Sequence, residues 1–260
     1  MTSPLAVPVS VVVITKNEER NIERCLKSAT WAAEAVVVDA HSDDRTREKA
    51  TALGARVFER DWPGYGQQKN FGVSMARNAW ILSVDADEEI TPELANEISR
   101  VIDSATLKAY RVFVPTFFMG RALKHYGRAA RDPGHIRLFH RDFARFDNRL
   151  VHEVVDVNGP VGWLNAPILH YCYPNLATYW RKIHYYAALE ARERAAHWPR
   201  VGNRWLRFIG MMGWMLVLRR GIFDGSSAWL WITGQAYQDW LTSGEAFRLR
   251  RSIEATRAQA

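Results

Sequence analysis

A run of β-branched residues near the start of the chain, residues 9–15 (VSVVVIT), constrains the fold more than any other feature. An apolar run of this length and composition is typical of a parallel strand that is buried on both faces. Similar short runs recur at residues 35–39, 55–59 and 80–84, with helical spacing between them. Four strands alternating with helices within about 85 residues predict an α/β fold with a mostly parallel, Rossmann-like sheet.

Polar residues follow three of these strands. The carboxyl ends of parallel strands meet at one edge of a sheet, and ligands of such folds bind beyond that edge. Asn17 also suits the N-cap of the first helix. We therefore expect one rim of the sheet to carry the residues that end or follow strands one, two and four: Thr15, Asn17, Glu18, Asp39, Ser42, Asp44, Asp85 and Asp87.

The turn after the first strand contains no glycine, so it matches neither the dinucleotide fingerprint nor the P-loop. An acidic rim needs a cation before it can hold phosphate. Asp85 and Asp87 are spaced to share Mg²⁺ or Mn²⁺, with Glu89 as a further oxygen ligand. Such an ion would stabilise a leaving diphosphate. The alternative is an acidic turn that caps the helix beginning at Thr91-Pro92.

Three further side chains are candidates for the same site. Asp39 could accept a hydrogen bond from a uracil N3–H or a ribose hydroxyl, or it could cap its own turn. Lys69 could hold a phosphate, or it could form an exposed salt bridge. Glu153 lies in an apolar run, residues 150–157, where a carboxylate is costly to bury without a partner. It is either a general base or a strand residue that faces solvent.

Other kinds of site are not indicated. None of the eight histidines has zinc-ligand spacing, and the two cysteines, Cys25 and Cys172, are far apart in the sequence. No Ser/His/Asp or Cys/His arrangement has supporting turn chemistry. The N-terminal residues have no cationic start, so we expect no signal peptide.

These motifs resemble those of inverting family 2 glycosyltransferases. The resemblance covers residues 9–89, through the segments at 15–18, 39–46, 68–70 and 82–88. Later segments are similar to lipopolysaccharide core β-1,4-glucosyltransferases: Arg137-Leu138-Phe139, Val151-His152-Glu153 and Gly221-x-x-Asp224-Gly225. The resemblance implies a glycosyltransferase A-type fold, a nucleotide-sugar donor and a divalent cation.

The resemblance also implies roles for individual residues. Glu153 would be the catalytic base, and Asp87 would ligate the metal and stabilise the leaving group. Asp85 would contact ribose or the metal. The donor-binding residues would be Thr15, Asn17, Glu18, Asp39, Ser42, Asp44, Lys69, Asp85 and Arg137.

Charge and tryptophan are unevenly distributed along the chain. Residues 1–103 carry 12 Lys and Arg against 17 Asp and Glu, whereas residues 104–260 carry 23 against 11. Seven of the 11 tryptophans follow residue 175. Arginine with tryptophan is typical of a membrane interface. The uncharged run at 208–218 would be only about 16 Å long as a helix, against a hydrocarbon core of roughly 30 Å. With the apolar stretch at 228–240, it predicts in-plane helices on the inner leaflet, or alternatively a buried helical hairpin.

Together these observations predict a catalytic domain over residues 1–165 and a helical amphipathic region over residues 166–260. Within the first, residues 1–103 would bind the nucleotide sugar and residues 104–165 the acceptor. With the resemblance to lipopolysaccharide core glucosyltransferases, these observations imply a cytoplasmic enzyme, peripheral on the inner membrane. By that resemblance, the enzyme would transfer glucose from UDP-glucose to a lipid-linked acceptor of the lipopolysaccharide inner core. Transfer to polyprenyl phosphate and a non-enzymatic membrane-binding role are the alternatives. No nucleic-acid partner is expected.

Overall fold

The computed structural model describes residues 6–104, 106–123, 134–147, 153–197 and 203–259. The chain divides into two compact units. The first comprises the described residues of 1–115 and 133–170, and the second those of 116–132 and 171–260. Each unit has its own hydrophobic core, and each is described separately below.

The first unit is built around a seven-stranded mixed sheet with the strand order β12-β6-β9-β4-β1-β2-β3. The strands and helices of this unit are β1 (Val7–Thr15), α1 (Ile22–Ser28), β2 (Ala32–Asp39), α2 (Thr46–Ala52), β3 (Arg56–Glu59), α3 (Tyr65–Met75), β4 (Trp80–Asp85), β5 (Glu88–Ile90), α4 (Pro92–Ser104), β6 (Ala109–Val112), β9 (His135–His140), β10 (Ala144–Phe146), β11 (Val155–Val157) and β12 (Val161–Trp163). The predicted alternation of strands and helices is confirmed.

The parallel part of the sheet brings the predicted rim together. β1 pairs in parallel with β2 and β4, so that Thr15 lies opposite Asp39 and Ile14 lies opposite Asp85. The valines of β1 are buried on both faces, as the apolar run requires. α3 packs closely on β1, because a Cβ added at Gly72 would lie 2.5 Å from a methyl group of Val12.

The antiparallel part of the unit adds β9, which pairs with both β4 and β6. The structure also contains β5, which the sequence interpretation missed because three residues with two charges do not resemble a strand. β5 pairs with the first half of β13 (Ile168–Tyr173), and His170 lies opposite Glu88. At the start of α4, the Thr91 hydroxyl accepts a hydrogen bond from the Leu94 amide at 3.3 Å, so Thr91 caps the helix.

Three predicted elements differ in the structure. The alternating residues 110–118 (YRVFVPTFF) have the pattern of one strand, but they form two, β6 and β7 (Thr116–Phe118), because the segment 113–115 ends in proline. Asn17 does not cap α1. It adopts a left-handed conformation with φ 57°, and the helix begins five residues later, at Ile22. In the apolar run at 150–157, the described residues form only the short strand β11, and Glu153 lies before this strand. Residues 150–152 lie outside the described part of the chain.

The second unit is mainly helical. Besides β7 and β8 (Arg121–Ala122), it contains α5 (Leu176–His197), α6 (Arg204–Gly213) and α7 (Gly225–Gln259). A π-helical turn (Trp214–Leu218) and a 3₁₀ turn (Gly221–Asp224) connect α6 to α7. Among the described residues, no helix combines the length and the apolar character that crossing a bilayer requires.

The core of the second unit forms where α5 meets α7. Tyr179 is almost fully buried, and its hydroxyl donates to the Trp231 carbonyl at 2.6 Å. Gly234 permits this approach, because a Cβ there would lie 2.0 Å from the tyrosine oxygen. Ala228 and Ile232 are also buried, so one face of the apolar stretch at 228–240 is core. α6, in contrast, buries none of its residues.

Candidate active site

Asp39 lies at the end of β2 and is completely buried. One carboxylate oxygen accepts the Ser42 amide at 2.7 Å. The other accepts the hydroxyls of Thr15 at 2.7 Å and Ser42 at 2.5 Å. Arg47 Nε lies 3.7 Å away. Both carboxylate oxygens are therefore engaged by the chain itself, as the turn-capping interpretation predicts.

The loops that follow β1 and β2 are hydrogen-bonded to each other. The Asn17 amide donates to the Ser42 hydroxyl at 2.8 Å, and the Asn17 side-chain oxygen accepts the Asp43 amide at 2.8 Å. The Glu18 amide donates to Thr46 Oγ1 at 2.8 Å. The predicted rim residues of these two strands are thus brought together.

Asp44 completes the junction of these loops from the β2 side. Its carboxylate accepts the amides of Glu19 and Thr46, at 3.2 and 3.0 Å. Partial burial would raise the pKa of Asp44. These hydrogen bonds and the one from the Thr46 hydroxyl outweigh that effect and hold the pKa below its usual range. Asp44 therefore keeps its charge at the junction of the two loops.

Asp85, at the end of β4, sits between two cations. Lys69 Nζ lies 2.9 Å from Oδ1, and an Arg137 guanidinium nitrogen lies 3.2 Å from Oδ2. Burial alone would raise the pKa of Asp85, but the two cations outweigh it and hold the pKa well below its usual range. The two cations therefore favour the ionised form of Asp85, and both of its oxygens already have partners.

Glu88 lies behind Asp85 and is fully buried. Its Oε1 is 2.6 Å from Arg137, and its Oε2 accepts the Asp85 amide at 2.8 Å. Burial raises the pKa of Glu88 to about 7 despite the arginine. Arg137, which we expected to bind the donor, is thus anchored between two carboxylates. No role for Glu88 was foreseen, although the alternation of β5 would have placed it on the inner face.

Asp87 faces a histidine that the sequence interpretation also missed. Its Oδ1 lies 3.4 Å from Nε2 of His170. Burial would lower the pKa of His170, but Asp87, Glu88 and Asp85 together raise it. Only the pairing of β13 with β5 brings this histidine to the acidic cluster, and 83 residues separate it from Asp87 in the sequence.

Lys69 and Glu153 form a close ion pair. Lys69 Nζ lies 2.6 Å from Glu153 Oε1. Lys69 is only 3% exposed, so this ion pair is not the exposed salt bridge that was the alternative prediction for Lys69. Burial would lower the pKa of Lys69, but Asp85 and Glu153 more than offset this and raise it. Glu153 is mostly buried too, rather than facing solvent from a strand.

The residues present suit a divalent ion only in part. Among the described residues, no three or more His, Cys, Asp or Glu side chains are grouped closely enough to hold a metal. Asp87 and His170 offer two adjacent ligands, which fits an ion that takes its other ligands from a diphosphate and water. Asp85 is occupied by cations. Glu89 lines a different cleft, with Arg20, Arg24 and Trp31, because successive strand side chains point to opposite faces.

Comparisons with known proteins agree with this arrangement. The sequence profile of "Glycosyl transferase family 2" matches residues 10–160. An uncharacterised glycosyltransferase of Rickettsia typhi is 32% identical over 206 residues, which cover 75% of this chain and 70% of that protein. The lipopolysaccharide core biosynthesis glycosyltransferase LpsC of Rhizobium meliloti is 28% identical over 165 residues, covering 60% of this chain and 59% of LpsC.

Solved structures show more distant likeness. TarS of S. aureus (residues 1–349) is 15% identical with a TM-score of 0.45, covering 96% of this chain and 91% of that chain. Glucosyl-3-phosphoglycerate synthase of Mycobacterium tuberculosis, in complex with Mn²⁺, UDP and phosphoglyceric acid, is 22% identical with a TM-score of 0.36. That match covers 41% of this chain and 43% of the synthase.

The family profile spans more than half of the chain, and a relative above 30% identity covers most of both proteins. The mixed sheet with flanking helices is a glycosyltransferase A-like arrangement. The predicted resemblance is therefore confirmed: the chain belongs to glycosyltransferase family 2.

Proposed function

We propose that the protein is an inverting glycosyltransferase that moves glucose from UDP-glucose to a lipid-linked acceptor in the lipopolysaccharide inner core. The acceptor class is supported by the similarity to LpsC, whose name places it in lipopolysaccharide core biosynthesis. The choice of UDP-glucose rests on the resemblance to lipopolysaccharide core β-1,4-glucosyltransferases. In this proposal residues 1–103 bind the donor together with Arg137, and the rest of residues 104–165 bind the acceptor.

One observation carries the proposal. Glu153 lies far from Asp85 in the sequence, but Lys69 contacts both carboxylates and so holds Glu153 beside the end of β4. A family 2 transferase needs a base next to the group that holds the donor. Glu153 can meet this need, because its contact with Lys69 is made through Oε1 and not through Oε2.

The chemistry is a single displacement. Glu153 accepts the proton of an acceptor hydroxyl as that oxygen bonds to the anomeric carbon. The bond from the anomeric carbon to the diphosphate oxygen breaks on the opposite face, so the nucleoside diphosphate leaves with the bonding electrons. Attack opposite the leaving group inverts the configuration. Fixing both substrates beside each other supplies as much as about 7–11 kcal/mol of the reduction in barrier.

The rim residues would bind the donor. The interlocked loops after β1 and β2 would hold the nucleoside, and Asp85 and Arg137 would face its ribose and diphosphate. Asp87 and His170 would hold Mg²⁺ or Mn²⁺, which neutralises charge on the diphosphate when it is bound. The nucleoside contacts are assigned to Thr15, Glu18 and Asp39, and Asn17, Ser42 and Asp44 are further donor-binding residues.

The second unit would place the enzyme on the cytoplasmic face of the inner membrane. Large apolar side chains of α6 and the two turns after it are exposed, with Leu206 at 70% and Ile209 at 65%. Arg204, Arg219 and Arg220 lie at the ends of this segment. Apolar side chains with flanking arginines fit an interface of anionic lipids, into which such a helix lies flat.

The test is a transfer assay with purified protein and Mn²⁺. UDP-glucose, other UDP-hexoses and GDP-hexoses serve as donors, and truncated lipopolysaccharide and polyprenyl phosphate serve as acceptors. We expect glucose on truncated lipopolysaccharide, with the anomeric configuration opposite to that in the donor. Product on polyprenyl phosphate alone would instead establish the rival transferase. No transfer and no donor hydrolysis with any donor would support the non-enzymatic role.

A further inference from the structure

The Lys69 ammonium contacts both Asp85 and Glu153. Its Nζ lies 2.9 Å from Asp85 Oδ1 and 2.6 Å from Glu153 Oε1, and it sits 5.5 Å from the centre of the Phe146 ring. A lysine that serves mainly as a phosphate ligand keeps its ammonium available to the ligand. Here the ammonium is buried, and two carboxylates and an aromatic ring surround it.

The helix that carries Lys69 is also attached to the chain segment that carries Glu153. The Asn70 side chain donates to the Phe146 carbonyl at 2.9 Å and accepts the Phe146 amide at 3.1 Å. One turn earlier, Gly66 touches the backbone of Asp147, because a Cβ there would lie 1.8 Å from the carbonyl oxygen. α3 therefore contacts β10 with two successive turns.

That contact extends to the residue beside the base. The Asp147 amide donates to the Val154 carbonyl at 2.9 Å, and the Val154 amide donates to the Asp147 carboxylate at 3.2 Å. β10 and β11 pair with each other directly beyond this point. The backbone next to Glu153 is thus fixed to α3 through β10, and its side chain is fixed to α3 through Lys69.

We propose that Lys69 is a positioning residue that acts through Glu153, rather than a ligand of the donor phosphates. It holds Oε1 of the carboxylate and leaves Oε2 to receive the acceptor proton, while its contact with Asp85 sets the distance between the base and the donor site. The inference rests on the proposed function, because it gives Lys69 a role only if Glu153 is the base.

The test compares Lys69→Met with Lys108→Met in the full-length protein. Lys108 is a matched control, because its ammonium also lies over a phenylalanine ring, 5.7 Å from the centre of the Phe143 ring. We expect Lys69→Met to lower kcat about 10²- to 10³-fold, within the range that a general base supplies. The Kd for UDP with Mn²⁺ should change by less than about threefold, because the lysine does not hold the donor. The control should behave as wild type.

A double variant tests whether Lys69 acts through the base. In a Glu153→Gln background, Lys69→Met should cause no further loss of kcat, because residues that act as one unit are not additive. Losses that multiply would overturn the inference, as would a rise of more than tenfold in the UDP Kd with kcat retained. If Glu153→Gln alone keeps its activity, then Glu153 is not the base and the proposed mechanism is wrong.

A second variant covers the case in which Lys69→Met does not fold because two buried carboxylates lose their cation. Asn70→Ala changes no charge and removes both hydrogen bonds to Phe146. It should lower kcat while the UDP Kd stays unchanged, because it loosens the backbone beside the base. An unchanged kcat would show that α3 does not position Glu153.

Discussion

Nε2 of His170 lies 3.4 Å from Oδ1 of Asp87, although His170 lies in β13 and Asp87 lies far earlier in the chain, in the turn between β4 and β5. The antiparallel pairing of Glu88 with His170 fixes this distance. Asp87 therefore has a partner that a metal ion can share, whereas both oxygens of Asp85 are bound to cations.

We expect Asp87→Asn and His170→Ala to weaken the binding of Mn²⁺ in the presence of UDP by at least about tenfold, because each removes one of two adjacent ligands. Asp87→Asn should also weaken UDP binding. Titration calorimetry with Mn²⁺ at saturating UDP measures the effect. His140→Ala is the control, since His140 lies on β9 beside exposed Asp142. Unchanged Mn²⁺ affinity in both variants would exclude this pair as the metal site.

Glu153→Gln should keep the affinity for UDP and lose about 10²–10⁴-fold in kcat, because the amide cannot accept the acceptor proton. Kinetics of transfer and equilibrium binding of UDP separate the two quantities. Glu89→Gln is a matched control, because Glu89 lines a different cleft. Transfer at a near-normal rate by Glu153→Gln would require another base.

Gly66→Ala should reduce both stability and transfer, because the new methyl group would overlap the Asp147 carbonyl. Overpacking of this kind typically costs about 1–3 kcal/mol of unfolding free energy. Gly210→Ala is the matched control on α6, where a Cβ would meet no atom within 4 Å. It should leave transfer unchanged and stabilise the helix slightly. Urea unfolding of the two variants gives the comparison, and equal stabilities would mean that α3 and β10 are not in contact.

The stability of the second unit should depend on pH through Asp239. Burial would raise the pKa of Asp239, but hydrogen bonds from Arg207 and Arg194 outweigh burial and hold the pKa below its ordinary value of 3.8. A lowered folded-state pKa gives stability that is present above pH 3.8 and is lost as the pH falls through the folded-state value.

Asp239→Asn should therefore destabilise the protein at pH 7 by about 1.5–3 kcal/mol, the range for hydrogen bonds to charged groups. The difference from wild type should shrink as the pH falls below 3.8. Circular dichroism during urea unfolding at pH 7 and pH 3 measures it. Asp103→Asn, at an exposed position on α4, should show no difference at either pH. A penalty for Asp239→Asn that does not vary with pH would contradict the assignment.

Membrane binding should require the exposed face of α6. The double variant Leu206→Glu/Ile209→Glu should bind vesicles that contain phosphatidylglycerol at least about tenfold more weakly, because it places two charges where apolar side chains would enter the interface. Leu53→Glu, an exposed apolar position in the first unit, should bind like wild type. Co-sedimentation with anionic and with neutral vesicles provides the measurement. Equal binding by the double variant would locate the membrane surface elsewhere.

The parallel strands and the rim could be predicted because both depend on local sequence. The apolar run of β1 requires burial on two faces, and the polar residues that follow it are carried to the rim by strand geometry alone. Thr15 and Asp39 therefore lie opposite each other, as expected.

The partners of the charged residues could not be predicted in the same way. Lys69 contacts Glu153 across 84 positions of sequence, and Arg137 contacts Glu88 across 49. His170 reaches Asp87 only because β13 pairs with β5. Such contacts are set by how distant strands pair, which local periodicity does not report. Glu89 was assigned to the metal because its position within β5, and hence the direction of its side chain, was not foreseen.

The interlocked loops that follow β1 and β2 have a thermodynamic consequence for ligand recognition. The left-handed turn at Asn17 and the doubly engaged carboxylate of Asp39 are held by contacts within the protein. The conformational entropy of these two loops is therefore lost when the chain folds. A nucleoside that binds there would not have to order them. The free energy of nucleoside binding would then come from direct contacts with the protein. A change of specificity to another nucleobase would require a change in loops that also stabilise the fold.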